Sequence, residues 1–230
     1  IDVDKLLDFI KREGADGLVL INPCNPTGQC LSEQQLVYLL DQIPNRIPVV
    51  IDETYFAYMP ADYSMQLQSD RHPNLWIFRS LSKVYALSGM RVGYALVPEH
   101  EATKMDLLTP TYTVPTLSQM AAITALQDED YAYRMVEETC KRREDFRQQL
   151  AQIPGVHIPA SHINCLLLDL QESGWKASVL QQRLAQHQLL VRNIASQGDR
   201  QGERYLRISV LDYPQNAQST RIIREVMATR

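Results

Sequence analysis

The sequence predicts an α/β fold: a large domain built on a mainly parallel, partial sheet, followed by a smaller C-terminal α+β domain. Short continuous apolar runs at residues 17–21 (GLVLI), 48–51 (PVVI) and the centre of NLWIFR read as strands buried on both faces of a parallel sheet. Helical patterns alternate with these runs, and polar residues gather just past the strand ends, where ligands of open α/β sheets sit. After residue 154 the order changes to strand, helix, two strands and a terminal helix, which predicts the smaller domain.

In chain order, Leu6, Leu7 and Ile10 recur at helical spacing and Gly14 ends an amphipathic helix entered in mid-fold. The run at 17–21 leads into Asn22-Pro23-Cys24-Asn25-Pro26-Thr27-Gly28, a turn dense in Pro, Asn and Gly. Ser32 caps a helix over about residues 33–42. The strand at 48–51 ends in Asp52-Glu53-Thr54-Tyr55, residues 76–78 run into Ser80-Leu81-Ser82-Lys83, and residues 92–97 form a further strand. Residues 109–115 read as a loop, and residues 117–150 as one or two long helices whose charges form a solvated face. Pro154-Gly155 breaks the helix. Strands follow at 165–170, 189–192 and 205–210, helices at 177–188 and 216–227, and a polar loop at 196–203. The predicted organisation is a partial large domain over 1–116, connecting helices over 117–153 and a small domain over 154–230.

The 230 residues, 45% of them hydrophobic, suffice for a real core. A net charge of −4 without a basic cluster argues against nucleic acid as a partner. No apolar run approaches the roughly 20 residues of a membrane span. Cys24, Cys30, Cys140 and Cys165 are scattered, without CxxC or a histidine at ligand spacing, so they read as reduced, mostly buried thiols of a cytoplasmic protein with no metal centre. The chain starts without Met or a signal-like segment, as expected of a piece of a longer protein.

The chemistry concentrates in Ser80-Leu81-Ser82-Lys83 and, eight residues on, Arg91 within Gly89-Met90-Arg91-Val92-Gly93. Hydroxyls, a guanidinium and a glycine-bearing turn suit a phosphate ester. A lysine beside a strand end, partly removed from water, is a nucleophile for a carbonyl. The natural aldehyde that carries a phosphate is pyridoxal 5'-phosphate. Its ring nitrogen needs a carboxylate, for which Asp52 stands at a strand end, and its phenolic oxygen needs neutral donors, for which Tyr55 and Asn25 are suited. Taken singly, Asp52 is equally a cap, Tyr55 the edge of a core, and NPTG a turn.

Together, N-P-T-G, D-x-x-Y and S-x-S-K-x7-R-x-G in that order resemble the aspartate-aminotransferase-like (fold type I) pyridoxal phosphate enzymes of the class I/II aminotransferase family. SLSKVYALSGMRVGYALV, LLVRN and YLRISV are most similar to its histidinol-phosphate aminotransferase and threonine-phosphate decarboxylase branch. The resemblance implies that Lys83 is the lysine joined to the cofactor, Asp52 the partner of the ring nitrogen, Tyr55 and Asn25 the ligands of the phenolic oxygen, and Ser80, Ser82 and Arg91 the phosphate cradle. It implies that Arg207 binds the substrate carboxylate, beside Asn25, with Arg192 as a second candidate; the alternative for Arg207 is an edge-strand salt bridge. It further implies an amino acid or phosphorylated amino alcohol and a 2-oxo acid as substrates, a homodimer, and an N-terminal part that this sequence lacks. Transamination is the expected reaction. Decarboxylation of the threonine-phosphate type, and a non-catalytic module or inactive fragment, are the alternatives.

Overall fold

The structure, a computed structural model, describes residues 1–59, 63, 65–195 and 203–229. Two compact units form, one from Ile1–Pro23 with Gln29–Met135 and the other from Cys24–Gly28 with Val136–Arg230. The loop expected at 196–203 lies, but for Glu203, outside the described residues.

In the first unit, helix α1 (Val3–Glu13) starts where the Asp2 side chain accepts the Lys5 N–H and ends at Gly14 in the left-handed region, φ 62°. Helix α2 (Glu33–Gln42) opens on a reciprocal capping box of Ser32 and Gln35. Strands β1 (Leu18–Ile21), β2 (Val49–Asp52), β3 (Leu75–Ser80) and β4 (Gly93–Leu96) lie side by side in sequence order; the first three are parallel and β4 is antiparallel to β3. Leu20, Val49, Ile51, Leu75 and Ile77 form one core with Val3, Leu7 and Ile10 of α1 and Leu36, Leu39 and Leu40 of α2. The other sheet face differs from the expectation of two buried faces. Val19 is 71% exposed, and Ile21 and Phe78 are exposed too. An unbroken apolar run is the same whether one face or both are covered, so the sequence pattern cannot tell these cases apart.

Helix α3 (Glu99–Leu108) has no counterpart in the sequence reading, because it buries no residue and so shows no apolar stripe. Helices α4 (Thr116–Gln127) and α5 (Glu129–Leu150) meet at Asp128, and α5 continues into the second unit. Its charges form the expected solvated pairs at helical spacing, Glu137 with Lys141, Glu138 with Arg142 and Glu144 with Arg147.

The second unit holds β5 (Cys165–Asp169), α6 (Ala177–Gln186), β6 (Arg192–Asn193), β7 (Tyr205–Ser209) and α7 (Tyr213–Ala228). The strands lie in the order β5-β7-β6, all antiparallel. Phe146, Leu150, Leu166, Leu168, Leu180, Leu184, Leu206, Ile208 and Ile223 make its core. Strand β6 begins at the last residue of the expected run 189–192. The chain first turns at the end of α6, with Gln188 at φ 60° and the Leu189 N–H donating to Leu184, and only at Arg192 does it reach β7. All four cysteines are free thiols; Cys165 is buried, whereas Cys24, Cys30 and Cys140 are half-buried rather than mostly buried as expected. No described helix is long and apolar enough to cross a membrane.

Candidate functional site

The first unit gathers the expected cofactor residues along the ends of β2 and β3. Asp52 closes β2, in register with Ile21 on one side and Phe78 on the other. It is half-buried, and its Oδ1 accepts the Thr54 N–H at 2.9 Å. That bond orients the carboxylate as an Asx turn and leaves its second oxygen to other partners. Tyr55 follows, 4% exposed, its ring 6.4 Å from that of Tyr58.

Strand β3 delivers Ser80, and the chain then folds over itself. The Ser82 N–H donates to Ser80 Oγ at 3.1 Å, the Leu81 N–H to Val92 O, the Ala86 N–H to Lys83 O, and the Leu87 N–H to Leu81 O. This loop holds Lys83 half-buried with its Nζ 5.3 Å from the centre of the Tyr55 ring. The two residues were expected to act together, and they are adjacent. Arg91 is exposed, sits in the left-handed region at φ 56°, and donates to the Ser88 carbonyl at 2.8 Å. Of the two glycines in the motif, only Gly93 is needed sterically. A Cβ there would come within 2.7 Å of Arg79 O, whereas one at Gly89 meets nothing within 4 Å.

The second unit contains the other three expected residues. Arg207, on β7, donates to Asn25 Oδ1 at 2.8 Å. The turn carrying Asn25 is held by Gly28, at φ 71°, whose N–H donates to Cys24 O and whose carbonyl accepts the His162 N–H, each at 2.7 Å. Across the antiparallel pair, Arg192 stands in register with Arg207, so two guanidinium-bearing residues share one face of the small sheet. The segment leading into β7 is anchored by two further contacts. Arg204 grips Asp169 in a two-pronged ion pair, its Nε 2.7 Å from Oδ1 and its second prong on Oδ2, and Glu203 accepts the Ser178 N–H at the start of α6. The Arg204 fork holds the Asp169 carboxyl below its ordinary value. On the same unit, burial holds the His162 imidazole below its ordinary value, helped by the Arg143 charge.

Sequence reasoning missed a polar cluster at the strand ends. Glu53 is fully buried; its Oε2 accepts from Arg79 Nε and its Oε1 from the Tyr63 hydroxyl, both at 2.8 Å. Tyr63 in turn accepts from Asn22 Nδ2 at 3.3 Å, and Asn22 Oδ1 accepts the Leu31 N–H. Burial raises the Glu53 carboxyl above its ordinary value against the pull of Arg79, and raises the Tyr63 hydroxyl as well. The available signal was alternation: Glu53 and Arg79 lie next to Asp52 and Ser80 and point to the opposite face. Among the described residues no group of three or more His, Cys, Asp or Glu is placed to hold a metal ion.

The family model "Aminotransferase class I and II" matches residues 1–223. A histidinol-phosphate aminotransferase of Methanosphaera stadtmanae is 31% identical over 227 residues, 99% of this chain and 60% of its own length. Among solved structures, histidinol-phosphate aminotransferase from Sinorhizobium meliloti in complex with pyridoxal-5'-phosphate superposes with a TM-score of 0.89 at 27% identity, over 99% of this chain and 62% of that one. A decarboxylase from Sulfurospirillum multivorans gives 0.88 at 26%, over 99% and 66%. The chain thus spans about 60% of the length of the first of these relatives, and with a match running through both units and all the motifs above, it belongs to the class I and II aminotransferase family.

Proposed function

We propose that the full protein is a pyridoxal phosphate-dependent aminotransferase acting on an amino acid or phosphorylated amino alcohol of the histidinol-phosphate type, with a 2-oxo acid as second substrate. The observation that carries this reading is Lys83 held half-buried against Tyr55, directly after the strand that neighbours Asp52. The donor set suits the cofactor: an amine, a carboxylate with an open oxygen, two hydroxyls and an arginine. Bound there, the cofactor would supply an aldehyde that joins amines and a ring that withdraws electrons from the substrate α-carbon.

The chain's own residues have distinct tasks in this reading. Ser80, Ser82 and Arg91 bind the phosphate and so fix the cofactor's position. Asp52 holds a proton on the ring nitrogen. Tyr55, with Asn25, donates toward the phenolic oxygen. With the cofactor bound, the Lys83 amine would take the proton from the substrate α-carbon as general base and return it as general acid. Arg207, oriented by Asn25, offers a planar fork to a carboxylate or phosphate, and Arg192 beside it adds a second positive charge. Homodimerisation and a cytoplasmic location accompany this reading as expectations from the family.

Incubation with pyridoxal phosphate, borohydride reduction and peptide mapping test it. The expected result is a single modified lysine, Lys83; modification elsewhere, or none in the full-length protein, overturns it. The likeness to a decarboxylase supports a second reading, loss of CO2 at the same site, for which the resemblance to the threonine-phosphate branch suggests a phosphorylated amino acid. Product analysis of the full-length protein with histidinol phosphate and with threonine phosphate, for keto product or released CO2, separates the two.

A further inference from the structure

We infer that Glu53 and Arg79 are positioning residues, a buried tie that sets the spacing between the Asp52 carboxylate and the Lys83 amine. The part of this inference that concerns the cofactor rests on the function proposed above; the tie itself does not.

Three strand ends converge on one carboxylate. Asn22 follows β1, Glu53 follows β2 and Arg79 lies near the end of β3. Asn22 and Glu53 are wholly buried, and the Arg79 side chain is 9% exposed. Glu53 is bonded through both oxygens, through Oε2 to Arg79 and through Oε1 to Tyr63, and Tyr63 hands the network on to Asn22. The Glu53 N–H also donates to Phe78 O at 2.7 Å, and the Arg79 guanidinium lies 4.2 Å from the centre of the Phe56 ring. Each tied residue adjoins a residue of the site: Glu53 follows Asp52, and Arg79 precedes Ser80. A buried ion pair seldom adds net stability over apolar packing, so its contribution here is geometric. The register of β2 against β3 ends at Asp52 opposite Phe78, and the tie carries it one residue further on each strand, to Glu53 and Arg79 at the threshold of the Lys83 loop.

The test uses the full-length protein with Glu53→Gln, which keeps the shape and removes the charge, and the pair Glu53→Gln/Arg79→Met, which also removes the buried cation. Amide hydrogen exchange is read without cofactor at Leu81, Ser82, Ala86 and Leu87, whose N–H groups close the Lys83 loop. In Glu53→Gln these amides exchange about tenfold faster while those of α1 and α2 keep their rates. In the double variant the melting temperature returns toward that of the parent, but the loop still exchanges fast and pyridoxal phosphate uptake at Lys83 stays about tenfold weaker than in the parent. Unchanged loop exchange, a uniform rise over the whole unit, or recovery of loop protection together with melting temperature overturns the tie. If the parent itself takes up no cofactor at Lys83 while the loop exchange behaves as expected, the tie stands and the proposed function falls.

Discussion

Asp52 and Arg207 show how little of a functional residue is its charge alone. Asp52 has one oxygen committed to the Thr54 N–H, so the carboxylate is aimed rather than merely present. Replacing it with Asn keeps that hydrogen bond and removes the charge that favours a proton on the ring nitrogen. In the full-length protein Asp52→Asn is expected to lower kcat by about 10²–10³-fold, in line with the loss of one preorganised electrostatic group, while borohydride still labels Lys83. Arg207 faces Arg192 across the small sheet, and like charges placed opposite one another destabilise a strand pair by a few tenths of a kcal/mol. Arg192→Ala is therefore expected to raise the melting temperature slightly in the absence of ligand, and to raise KM for a phosphorylated substrate. A variant that lowers both quantities would contradict the reading of the pair as an anion site.

At the level of elements, the close approach of β4 to the end of β3 explains why the motif carries glycine at position 93. An added Cβ meets the Arg79 carbonyl at 2.7 Å, which is backbone and cannot swing aside. Gly93→Ala is expected to cost about 1–3 kcal/mol, as overpacking does, and to weaken cofactor uptake because Ser80 lies opposite in register. Gly89→Ala, with open space around it, should change stability by no more than about 0.5 kcal/mol; chemical denaturation of the two variants checks both. Elements with a local signal were legible in the sequence. Ser32 announced α2, Gly14 ended α1, and the apolar runs located β1, β2 and β3. Elements defined by what they touch were not. Helix α3 buries nothing, β6 consists of only the two residues that reach β7, and the exposed face of the large sheet is as apolar as the covered one. The site followed the same division. Lys83, Asp52, Tyr55 and Arg207 stood in ordered motifs, whereas alternation gives only the face on which Glu53 and Arg79 lie, and their pairing depends on strand ends meeting in the fold.

Across the whole chain, the two units carry separate cores and titrating groups of opposite sense, so acid should act on them differently. In the second unit, burial and the Arg143 charge lower the His162 pKa from 6.5. The unfolded chain then binds a proton that the folded one does not, and stability present above about pH 6.5 declines as the pH falls through that value. Asp169 adds to this at lower pH. Its pKa is depressed from 3.8 by Arg204, so its contribution is complete above that value and is lost as the pH falls through the folded pKa below it. The first unit holds the contrary case. Burial raises the Glu53 pKa from 4.5, so the folded state binds the proton first and this group opposes acid unfolding as the pH falls toward 4.5. The sequence provides one tryptophan reporter for each unit, Trp76 on β3 and Trp175 against the second core. With Trp76→Phe and Trp175→Phe to isolate each signal, denaturant titrations at pH 7 and pH 5 should show the Trp175 midpoint falling while the Trp76 midpoint holds. His162→Gln should abolish most of that fall, because an uncharged side chain at this position removes the linked proton; a Trp175 midpoint that still drops as before in His162→Gln would locate the acid response elsewhere in the unit.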